Sequence, residues 1–471
     1  MSVKIALSKG RFLSPTVNLL SEVDLGFSHY SNETRKYRLQ SARFPYLSAK
    51  IFQEKDIPIQ VAIGNYDLGI CGLDWIEELL VRYPASALVK ISSLDYGEGN
   101  IYAVASYQGG VSNLDELLAR QNDWRMVSEY PNLTEAFALN LRIRRFRIFP
   151  VWGAAEVYPP ENADLAVLWE KDDSDLEAQG LVSLMKLLPV TAFLIANRES
   201  LENKDLSPIL NCLSSKLVTE PQISPTASYE RRRSNPIVSH SLWQAKEINL
   251  ALPDGHQQPP TSQFLKKVGL NLQGYSKETL NRRPSANLDW LGIKVIRPQD
   301  MPLQVATGNF DLAITGKDWL LEHIYRFPLS PVRELLDLGF GTVKIVAAVS
   351  QDIPVTNIDE LRLLVQGGKF APLRVASEYI NIADKYLRDN HINPYKLIPT
   401  WGASEAFLPE DADLLIDNAQ TGKTLAQHNL KIIDVLFSSS ACLIGNKDSL
   451  DSWDKKERIE FLIQMLRTGL S

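Results

Sequence analysis

Cysteine and histidine are scarce in this chain, and neither is spaced to bind a metal. The 471 residues include only three cysteines, Cys71, Cys212 and Cys442, and six scattered histidines. No Cys-x-x-Cys pair or close histidine pair occurs, so the sequence predicts neither a disulfide framework nor a zinc site. We therefore assign no residue as a metal ligand.

Excess positive charge and long apolar runs are also lacking. The chain carries 50 lysines and arginines against 56 aspartates and glutamates, a formal net charge of −6, which argues against a nucleic-acid binder. No apolar run reaches the length that spans a bilayer, so no membrane association is predicted. The first residues, MSVKIALSKGR, lack the apolar core of a signal peptide, and we expect a cytoplasmic, reducing environment.

The sequence does contain a long internal repeat. Residues 56–84 and 300–328 are identical at 16 of 29 positions without a gap. The triplet Ser128–Tyr130 recurs at Ser377–Tyr379, and Trp152–Ala154 recurs at Trp401–Ala403. Each version is long enough to bury its own core, which argues against a solenoid repeat. We call residues 1–218 copy one, residues 219–244 the linker and residues 245–471 copy two.

Both copies alternate short β-branched or aromatic runs with helical patterns, which is typical of an α/β fold. In copy one the patterns predict strands at Val3–Leu7, Asp67–Cys71, Ile101–Ser106, Trp124–Ser128, Phe146–Trp152 and Asp164–Trp169. They predict helices at Ser14–Ser21, Trp75–Tyr83, Asn113–Arg120 and Leu133–Leu141. In copy two they predict strands at Ile248–Leu252, Asp311–Thr315, Thr342–Val349, Leu373–Ser377 and Leu414–Asp417.

The first candidate phosphate site is Ser8-Lys9-Gly10-Arg11, between a predicted strand and a predicted helix. Glycine at that turn lets backbone amides approach a ligand, and the helix N-terminus favours an anion. Lys9 and Arg11 add positive charge. A plain strand-to-helix turn is the alternative, because such joints are common.

The second candidate is the segment from Asp417 to Leu425, DNAQTGKTL, which follows an apolar strand. A carboxylate there can accept hydrogen bonds from ribose hydroxyls, while loop amides and threonine hydroxyls hold a 5′-phosphate. A Walker A loop is excluded, because Asp417 stands where its first glycine is required. An exposed turn with capping threonines remains the alternative.

Other charged residues have simpler interpretations. Asp74 and Asp318, before the helical tryptophans of the two copies, are predicted to be helix N-caps. The arginine-rich stretch 142–147 is typical of the polar edge of a strand, and Arg231–Arg233 of a solvated linker.

Taken in order, the motifs resemble those of the ATP phosphoribosyltransferase family. The similarity covers nearly the whole of both copies. It rests on the strings SKGRF, GNYDLGICGLDW, YPNLTEAF, LLDLGFG, WGASEAF, DNAQTGKTL and ACLIGN.

The resemblance implies a fold and a reaction. The fold expected is two tandem copies of a two-lobed, periplasmic-binding-protein-like (type II) α/β fold that form a pseudo-dimer. Lobe I of copy one would cover about 1–93 and 183–218, with lobe II at about 94–182. Lobe I of copy two would cover about 245–343 and 433–471, with lobe II at about 344–432. The reaction joins N1 of ATP to C1 of phosphoribosyl pyrophosphate (PRPP), with Mg²⁺, as the first step of histidine biosynthesis.

Each copy resembles the family's short form, which works with a regulatory partner similar to histidyl-tRNA synthetase; a homo-oligomer is also expected. The resemblance also implies roles for individual residues. Lys9, Arg11 and Arg35 would face the polyphosphates, and Ser8 and Gly10 would contact ATP. The PRPP-binding residues implied are Glu405, Asp417, Thr421, Gly422, Lys423 and Thr424. Glu129 and Glu378 stand where the family often has lysine.

The two copies depart from the family pattern in complementary ways. Copy two has Leu252–His256 (LPDGH) in place of LSKGR, and copy one has Asp172–Asp175 (DDSD) in place of TGKT. Carboxylates at that loop would repel a phosphate. We therefore expect one composite active site that combines the basic turn of copy one with the loop of copy two. Two other hypotheses stay open: a catalytically inactive nucleotide or PRPP sensor, and a two-lobed ligand-binding protein without chemistry.

Overall fold

The computed structural model describes residues 2–27, 30, 37–94, 96–120, 123–214, 217–218, 248–276, 280–370, 372–420 and 422–470. The predicted linker 219–244 lies outside these ranges, as do Arg35 and Thr421. Among the described residues, no helix is both long and apolar enough to cross a membrane.

The chain divides into two compact units. Unit 1 contains Met1–Pro150, Ala163–His240 and Thr400–Ala406, and unit 2 contains Val151–Asn162, Ser241–Pro399 and Phe407–Ser471. Each unit is thus largely one copy plus a short segment of the other. The boundaries of the two copies near residues 218 and 245 remain predictions.

Unit 1 contains a seven-stranded and a five-stranded sheet, in the orders β12-β5-β11-β4-β1-β3-β2 and β10-β6-β9-β7-β8. Its strands are β1 (Val3–Lys9), β2 (Arg38–Gln40), β3 (Leu47–Gln53), β4 (Leu68–Gly72), β5 (Leu88–Leu94), β6 (Gly99–Ser106), β7 (Trp124–Ser128), β8 (Phe146–Pro150), β9 (Leu165–Glu170), β10 (Leu181–Val190), β11 (Ala192–Asn197) and β12 (Leu217–Val218). Its helices are α1 (Leu13–Glu22), α2 (Asp56–Ala62), α3 (Leu73–Arg82), α4 (Leu114–Ala119), α5 (Pro131–Asn140), α6 (Asp173–Ala178), α7 (Arg198–Asn203) and α8 (Ser207–Leu213).

Unit 2 has two five-stranded sheets, β16-β13-β17-β24-β18 and β21-β20-β22-β19-β23, and the hairpin β14-β15. Its strands are β13 (Ile248–Pro253), β14 (Leu272–Tyr275), β15 (Leu280–Ala286), β16 (Leu291–Ile296), β17 (Leu312–Gly316), β18 (Val332–Asp337), β19 (Val343–Ser350), β20 (Leu373–Ser377), β21 (Tyr395–Pro399), β22 (Leu414–Ala419), β23 (Leu430–Ser439) and β24 (Ala441–Asn446). Its helices are α9 (Gln258–Lys267), α10 (Met301–Ala306), α11 (Lys317–Arg326), α12 (Ile358–Gln366), α13 (Ile380–Asp389), α14 (Lys423–Gln427), α15 (Lys447–Asp451) and α16 (Lys456–Thr468).

The α/β class predicted from the sequence is confirmed. Central strands such as β4 and β17 are buried along their whole length, which explains their continuous apolar sequences. The predicted bounds of β7 and β20 coincide with the observed ones. The strand predicted at Phe146–Trp152 ends at Pro150, so extending it to Trp152 was wrong.

We call the part of each unit built on the sheet that contains β1 or β13 lobe I, and the part built on the other five-stranded sheet lobe II. A carboxylate from lobe I joins the two lobes in both copies. Glu78 of α3 accepts hydrogen bonds from the backbone amides of Asn132 and Leu133, each at 2.9 Å, at the start of α5. Glu322 of α11 does the same for α13 in unit 2. These carboxylates supply the acceptors that a helix N-terminus lacks, so the lobes are linked through a helix cap.

The segment Val151–Asn162 of copy one packs among elements of copy two within unit 2. The backbone amide of Trp152 donates to both carboxylate oxygens of Asp300 at 3.1 Å. The buried ammonium of Lys294 donates to Glu161 at 2.7 Å and to Asn162 Oδ1 at 2.6 Å. Neither short sequence patterns nor the repeat alignment indicated this exchange, because each segment looks complete within its own copy.

Replacing Lys294 with methionine tests the importance of this exchange for stability. The Lys294→Met change removes the ammonium that pairs with the largely buried carboxylate of Glu161 at 2.7 Å, while Arg283 remains at 3.1 Å. Loss of one partner of a buried ion pair costs about 3 kcal/mol, so the unfolding transition of unit 2 should move to lower denaturant. Lys396→Met, at an exposed position, is the matched control and should leave the transition unchanged. Equal unfolding midpoints for the two variants would contradict the proposed importance of this contact.

Candidate active site

Two of the predicted site residues, Lys9 and Glu405, come from different copies but interact electrostatically within unit 1. Lys9 is the last residue of β1, and its ammonium lies 3.1 Å from the hydroxyl of Tyr37. Burial raises the pKa of Glu405 above its usual value, and the positive charge of Lys9 opposes that rise. In the same segment, Trp401 has its ring centroid 5.2 Å from the ammonium of Lys55. The segment Thr400–Ala406 therefore brings a carboxylate to the basic turn.

The turn after β1 has the backbone that its glycine predicts, but Ser8 is less accessible than expected. Gly10 has φ +102°, a conformation that residues with a side chain rarely adopt. Ser8 is fully buried and its carbonyl oxygen accepts a 2.6 Å hydrogen bond from Tyr30. Contacts of Ser8 and Gly10 with ATP remain predictions.

Arg11 is held by groups of its own copy. Its Nε donates to Glu54 at 2.8 Å, and its Nη2 donates to Asp74. The guanidinium carbon lies 4.5 Å from the ring centroid of Phe12 and 4.7 Å from that of Trp169. Because Trp169 belongs to lobe II, Arg11 occupies the space between the lobes of copy one. Within unit 1 it thus contacts its own lobe II, whereas the sequence led us to expect the loop of copy two.

The charges around Arg11 are coupled. Burial by itself would lower the pKa of Arg11, but the carboxylates of Asp74 and Glu54 raise it above its ordinary value. Burial raises the pKa of Glu54 to about 7, against the opposing effect of Arg11. Tyr130 of lobe II donates its hydroxyl proton to Asp74 at 2.7 Å. Binding of polyphosphate by Arg11 remains a prediction. In the structure its Nε donates to Glu54 and its Nη2 donates to Asp74.

Asp74 and Asp318 are not helix N-caps, so that prediction was wrong. Helices α3 and α11 are capped by Gly72 and Gly316, and neither has a side-chain capping bond. Asp74 instead binds Arg11 and Tyr130, and Asp318 accepts hydrogen bonds from Tyr379 at 2.7 Å and from the hydroxyl of Ser439 at 2.8 Å. The sequence position next to a helix start is the same for a cap and for an interlobe contact, so the pattern did not distinguish them.

In copy two the corresponding space between the lobes is a cavity of about 120 Å³. Asp254, at the position of Lys9, accepts from Arg282 at 2.7 Å and lies 3.3 Å from Arg297. Oδ1 of Asp254 and Oε1 of Gln257 are buried without a hydrogen-bond partner. The residues that line the cavity are Asp254, Gly255, His256, Gln257, Arg297, Pro298, Gln299, Asp318, Trp319, Val343, Glu378, Tyr379 and Asn418.

Two substitutions distinguish the clefts of the two copies. Asn418 stands where copy one has Trp169, and His256 stands where copy one has Arg11. Trp169 packs so closely on Gly99 that a Cβ at that glycine would lie 2.5 Å from its ring nitrogen. The smaller pair in copy two leaves room for a ligand next to the predicted sugar-phosphate loop.

That loop begins inside β22 and ends at α14. Asp417 is largely buried, and its Oδ1 accepts from the backbone amide of Asn418 at 2.6 Å. Gly422, with φ +69°, precedes α14, and no side chain of a described residue caps this helix. Lys423 and Thr424 are exposed, and Thr421 lies outside the described residues.

The equivalent loop of copy one provides its own negative charge. Asp172 accepts hydrogen bonds from the backbone amides of Ser174 at 2.9 Å and Asp175 at 3.3 Å at the start of α6. A carboxylate therefore already occupies the position where a phosphate would bind. This observation agrees with the expectation that copy one has lost the phosphate loop.

Sequence reasoning missed several residues around these clefts. Arg297, Asn418, Glu54 and Trp169 were not singled out, although each differs from its counterpart in the other copy. Arg297, for example, aligns with Gln53. A position-by-position comparison of the copies, beyond the two motifs, would have indicated them.

The ionic cluster around Arg11 predicts a pH-dependent effect on stability. Arg11→Ala leaves Asp74 and Glu54 buried without their cation, so unit 1 should lose about 3 kcal/mol at pH 8. Because the pKa of Glu54 is about 7, that carboxyl is mostly neutral at pH 5, and the loss should be smaller there. Thermal or denaturant unfolding at the two pH values measures this. His256→Ala, at the exposed equivalent position, is the control, and equal losses at both pH values would contradict the coupling.

Comparison with known proteins assigns the family. The family profile described as ATP phosphoribosyltransferase (HisG) matches residues 53–217 and 297–468. The chain is 36% identical to the ATP phosphoribosyltransferase of Saccharolobus solfataricus over 231 residues, 48% of this chain and 73% of that protein. It is 32% identical to the enzyme of Prosthecochloris aestuarii over 228 residues, 47% of this chain and 71% of that protein.

Among solved structures, the ATP phosphoribosyl transferase (HisG:HisZ) complex from Thermotoga maritima is 22% identical. The match covers 47% of this chain and 98% of the other, with a TM-score of 0.38. The profile match in two segments, which together span more than half of the chain, is the decisive finding. This chain belongs to the ATP phosphoribosyltransferase family, the glycosyltransferases that begin histidine biosynthesis.

Proposed function

We propose that the chain joins ATP to PRPP at a single active site, and that this site requires the loop Asp417–Thr424 of copy two. The observation that carries this proposal is the contrast between two equivalent helix starts. Among the described residues no side chain caps the start of α14, whereas Asp172 caps the start of α6. An anionic ligand can use free backbone amides only in the first case.

In this proposal the protein acts mainly by positioning and by electrostatics. The ribose 5′-phosphate binds the loop amides together with Thr421, Gly422, Lys423 and Thr424, and Asp417 accepts from the ribose hydroxyls. The bond from adenine N1 to C1 forms as the C1–O bond breaks, and the electron pair leaves with pyrophosphate. Cationic side chains stabilise that leaving group, and no protein nucleophile is needed.

Cations are available in both units. In unit 2, Arg297 lines the cavity between the lobes, where its partner Asp254 is shared with Arg282. In unit 1, Lys9 lies in the electrostatic neighbourhood of Glu405. The prediction that the basic turn and the loop serve one composite site remains open for Lys9 and for Arg35. For Arg11, the contacts support a role in holding the lobes of copy one together.

We further propose that the chain is a pseudo-dimer of two periplasmic-binding-protein-like copies, with copy one as the scaffold. Mg²⁺ enters with PRPP; among the described residues no group of three histidine, cysteine, aspartate or glutamate side chains is placed to hold a metal. Such a cation needs few protein ligands when phosphates supply most of them, and Asp417 is the carboxylate beside the loop. A regulatory partner similar to histidyl-tRNA synthetase and a homo-oligomer complete the proposal.

Paired substitutions at equivalent loop positions test which copy is active. Asp417→Asn and Thr424→Val remove a ribose acceptor and a phosphate donor, and each should lower kcat/KM by about a hundred-fold. Turnover is followed by the absorbance of the N1-ribosylated product with ATP, PRPP and Mg²⁺, with and without the synthetase-like partner.

Asp175→Asn is the matched control, because Asp175 occupies in copy one the position of Thr424. Its turnover should stay within about two-fold of the parent chain, since that loop holds no substrate in this proposal. Comparable losses of kcat/KM in the Thr424 and Asp175 variants would exclude the proposal that only the loop of copy two binds substrate. Absence of product from the parent chain with its partner would favour an inactive PRPP sensor.

A further inference from the structure

A second cavity, of about 380 Å³, lies in lobe II of copy one and contains none of the candidate site residues described above. It lies beside the first residue of β7, whereas Tyr130, which contacts Asp74, follows the last residue of that strand. The cavity is therefore at the opposite end of β7 from the space between the lobes. It is lined by Leu117, Leu118, Ala119, Arg120, Trp124, Arg142, Ile143, Arg144 and Arg145.

The lining of this cavity is strongly basic, although Glu116 interacts electrostatically with Arg120. Four of the nine lining residues are arginines, and none is an aspartate or glutamate. Arg120 donates to the carbonyl oxygen of Gly110, a neutral partner. In the part of the chain that the structure describes, Arg142, Arg144 and Arg145 form no ion pair, although the chain as a whole carries net charge −6. Like charges gathered in a concave space repel one another, and a bound anion removes that repulsion.

The fold itself does not require these arginines. Trp124 and Leu373, the first residues of β7 and β20, stand 249 residues apart, as do Phe146 and Tyr395, the first residues of β8 and β21. At the same spacing, copy two has His391, Asn393 and Pro394 in place of the three arginines before β8.

The backbone of this turn is nevertheless shared. Arg142 has φ +57° and His391 has φ +54°, and the next residue, Ile143 or Ile392, is buried in both copies. The turn therefore forms without arginine, so folding does not explain the cluster. The strand-edge interpretation is also incomplete, because Arg142, Arg144 and Arg145 precede β8 and line a cavity.

We propose that this cavity binds a small phosphorylated polyanion. Guanidinium groups form paired hydrogen bonds with phosphate oxygens, and four of them match a ligand with two or more phosphate groups. The volume lies within the range of small-molecule sites. Leu117, Trp124 and Ile143 give the cavity a buried apolar floor, which accepts the carbon part of such a ligand.

The test measures tripolyphosphate binding to the full chain by calorimetry. Thr424→Val is included in every sample to weaken phosphate binding at the proposed substrate loop. Arg144→Gln/Arg145→Gln should weaken binding about ten-fold or more, because two charge-assisted contacts are lost. The matched control is Arg147→Gln, which removes an equally exposed arginine that pairs with Asp123 outside the cavity. Its affinity should equal that of the chain with Thr424→Val alone.

Equal affinities of the double variant and the Arg147 control for tripolyphosphate would overturn the proposal. The arginines of the cavity would then be solvated surface residues without a ligand. Binding of citrate as tight as that of tripolyphosphate would overturn the preference for phosphate. An unchanged far-ultraviolet circular dichroism spectrum and melting temperature establish that the double variant is folded. The proposal does not depend on catalysis: the double variant without Thr424→Val should keep the turnover of the parent chain, so a failure here is separable from a failure of the proposed function.

Discussion

A buried carboxylate that accepts a tyrosine hydroxyl from the opposite lobe is the interaction on which both copies depend. Asp74 accepts from Tyr130 and Asp318 accepts from Tyr379, each at 2.7 Å. Both carboxylates are almost fully buried, and burial raises the pKa of each tyrosine well above its usual value, so the hydroxyls remain neutral donors. A buried charge must be compensated locally, and the way each copy does so decides what its cleft can hold.

The two copies compensate this charge differently. In copy two, Ser439 donates a second hydroxyl to Asp318, and no cation is needed. In copy one the equivalent position is Val190, and Oδ1 of Asp74 has no hydrogen-bond partner. Arg11 supplies the missing compensation and, stacked on Trp169, fills the cleft. A valine in place of a serine is thus linked, through one carboxylate, to the loss of a ligand cavity.

Structural features that depend on local sequence pattern were predicted well. The bounds of β7 and β20 follow from short apolar runs between turns, and the ordered motifs indicated the family. Features that depend on contacts between residues far apart in the chain were predicted poorly. The pairing of Arg11 with Glu54, 43 residues away, has no periodicity to reveal it. The packing of Val151–Asn162 within unit 2 was likewise hidden, because a loop's sequence does not state which copy it contacts.

Fusion of two copies in one chain also explains why charged residues diverged so freely. In a symmetric dimer of identical chains, a carboxylate placed at Asp172 would enter both phosphate loops at once. Here Asp172 caps α6, whereas among the described residues no side chain caps α14, so in the proposed arrangement one loop can lose its ligand without cost to the other. The same freedom applies to Arg144 and Arg145, which have no counterpart in copy two. In the proposed arrangement, surfaces of copy one that face no substrate are therefore where new binding properties are expected, because a change there leaves the loop Asp417–Thr424 of copy two intact.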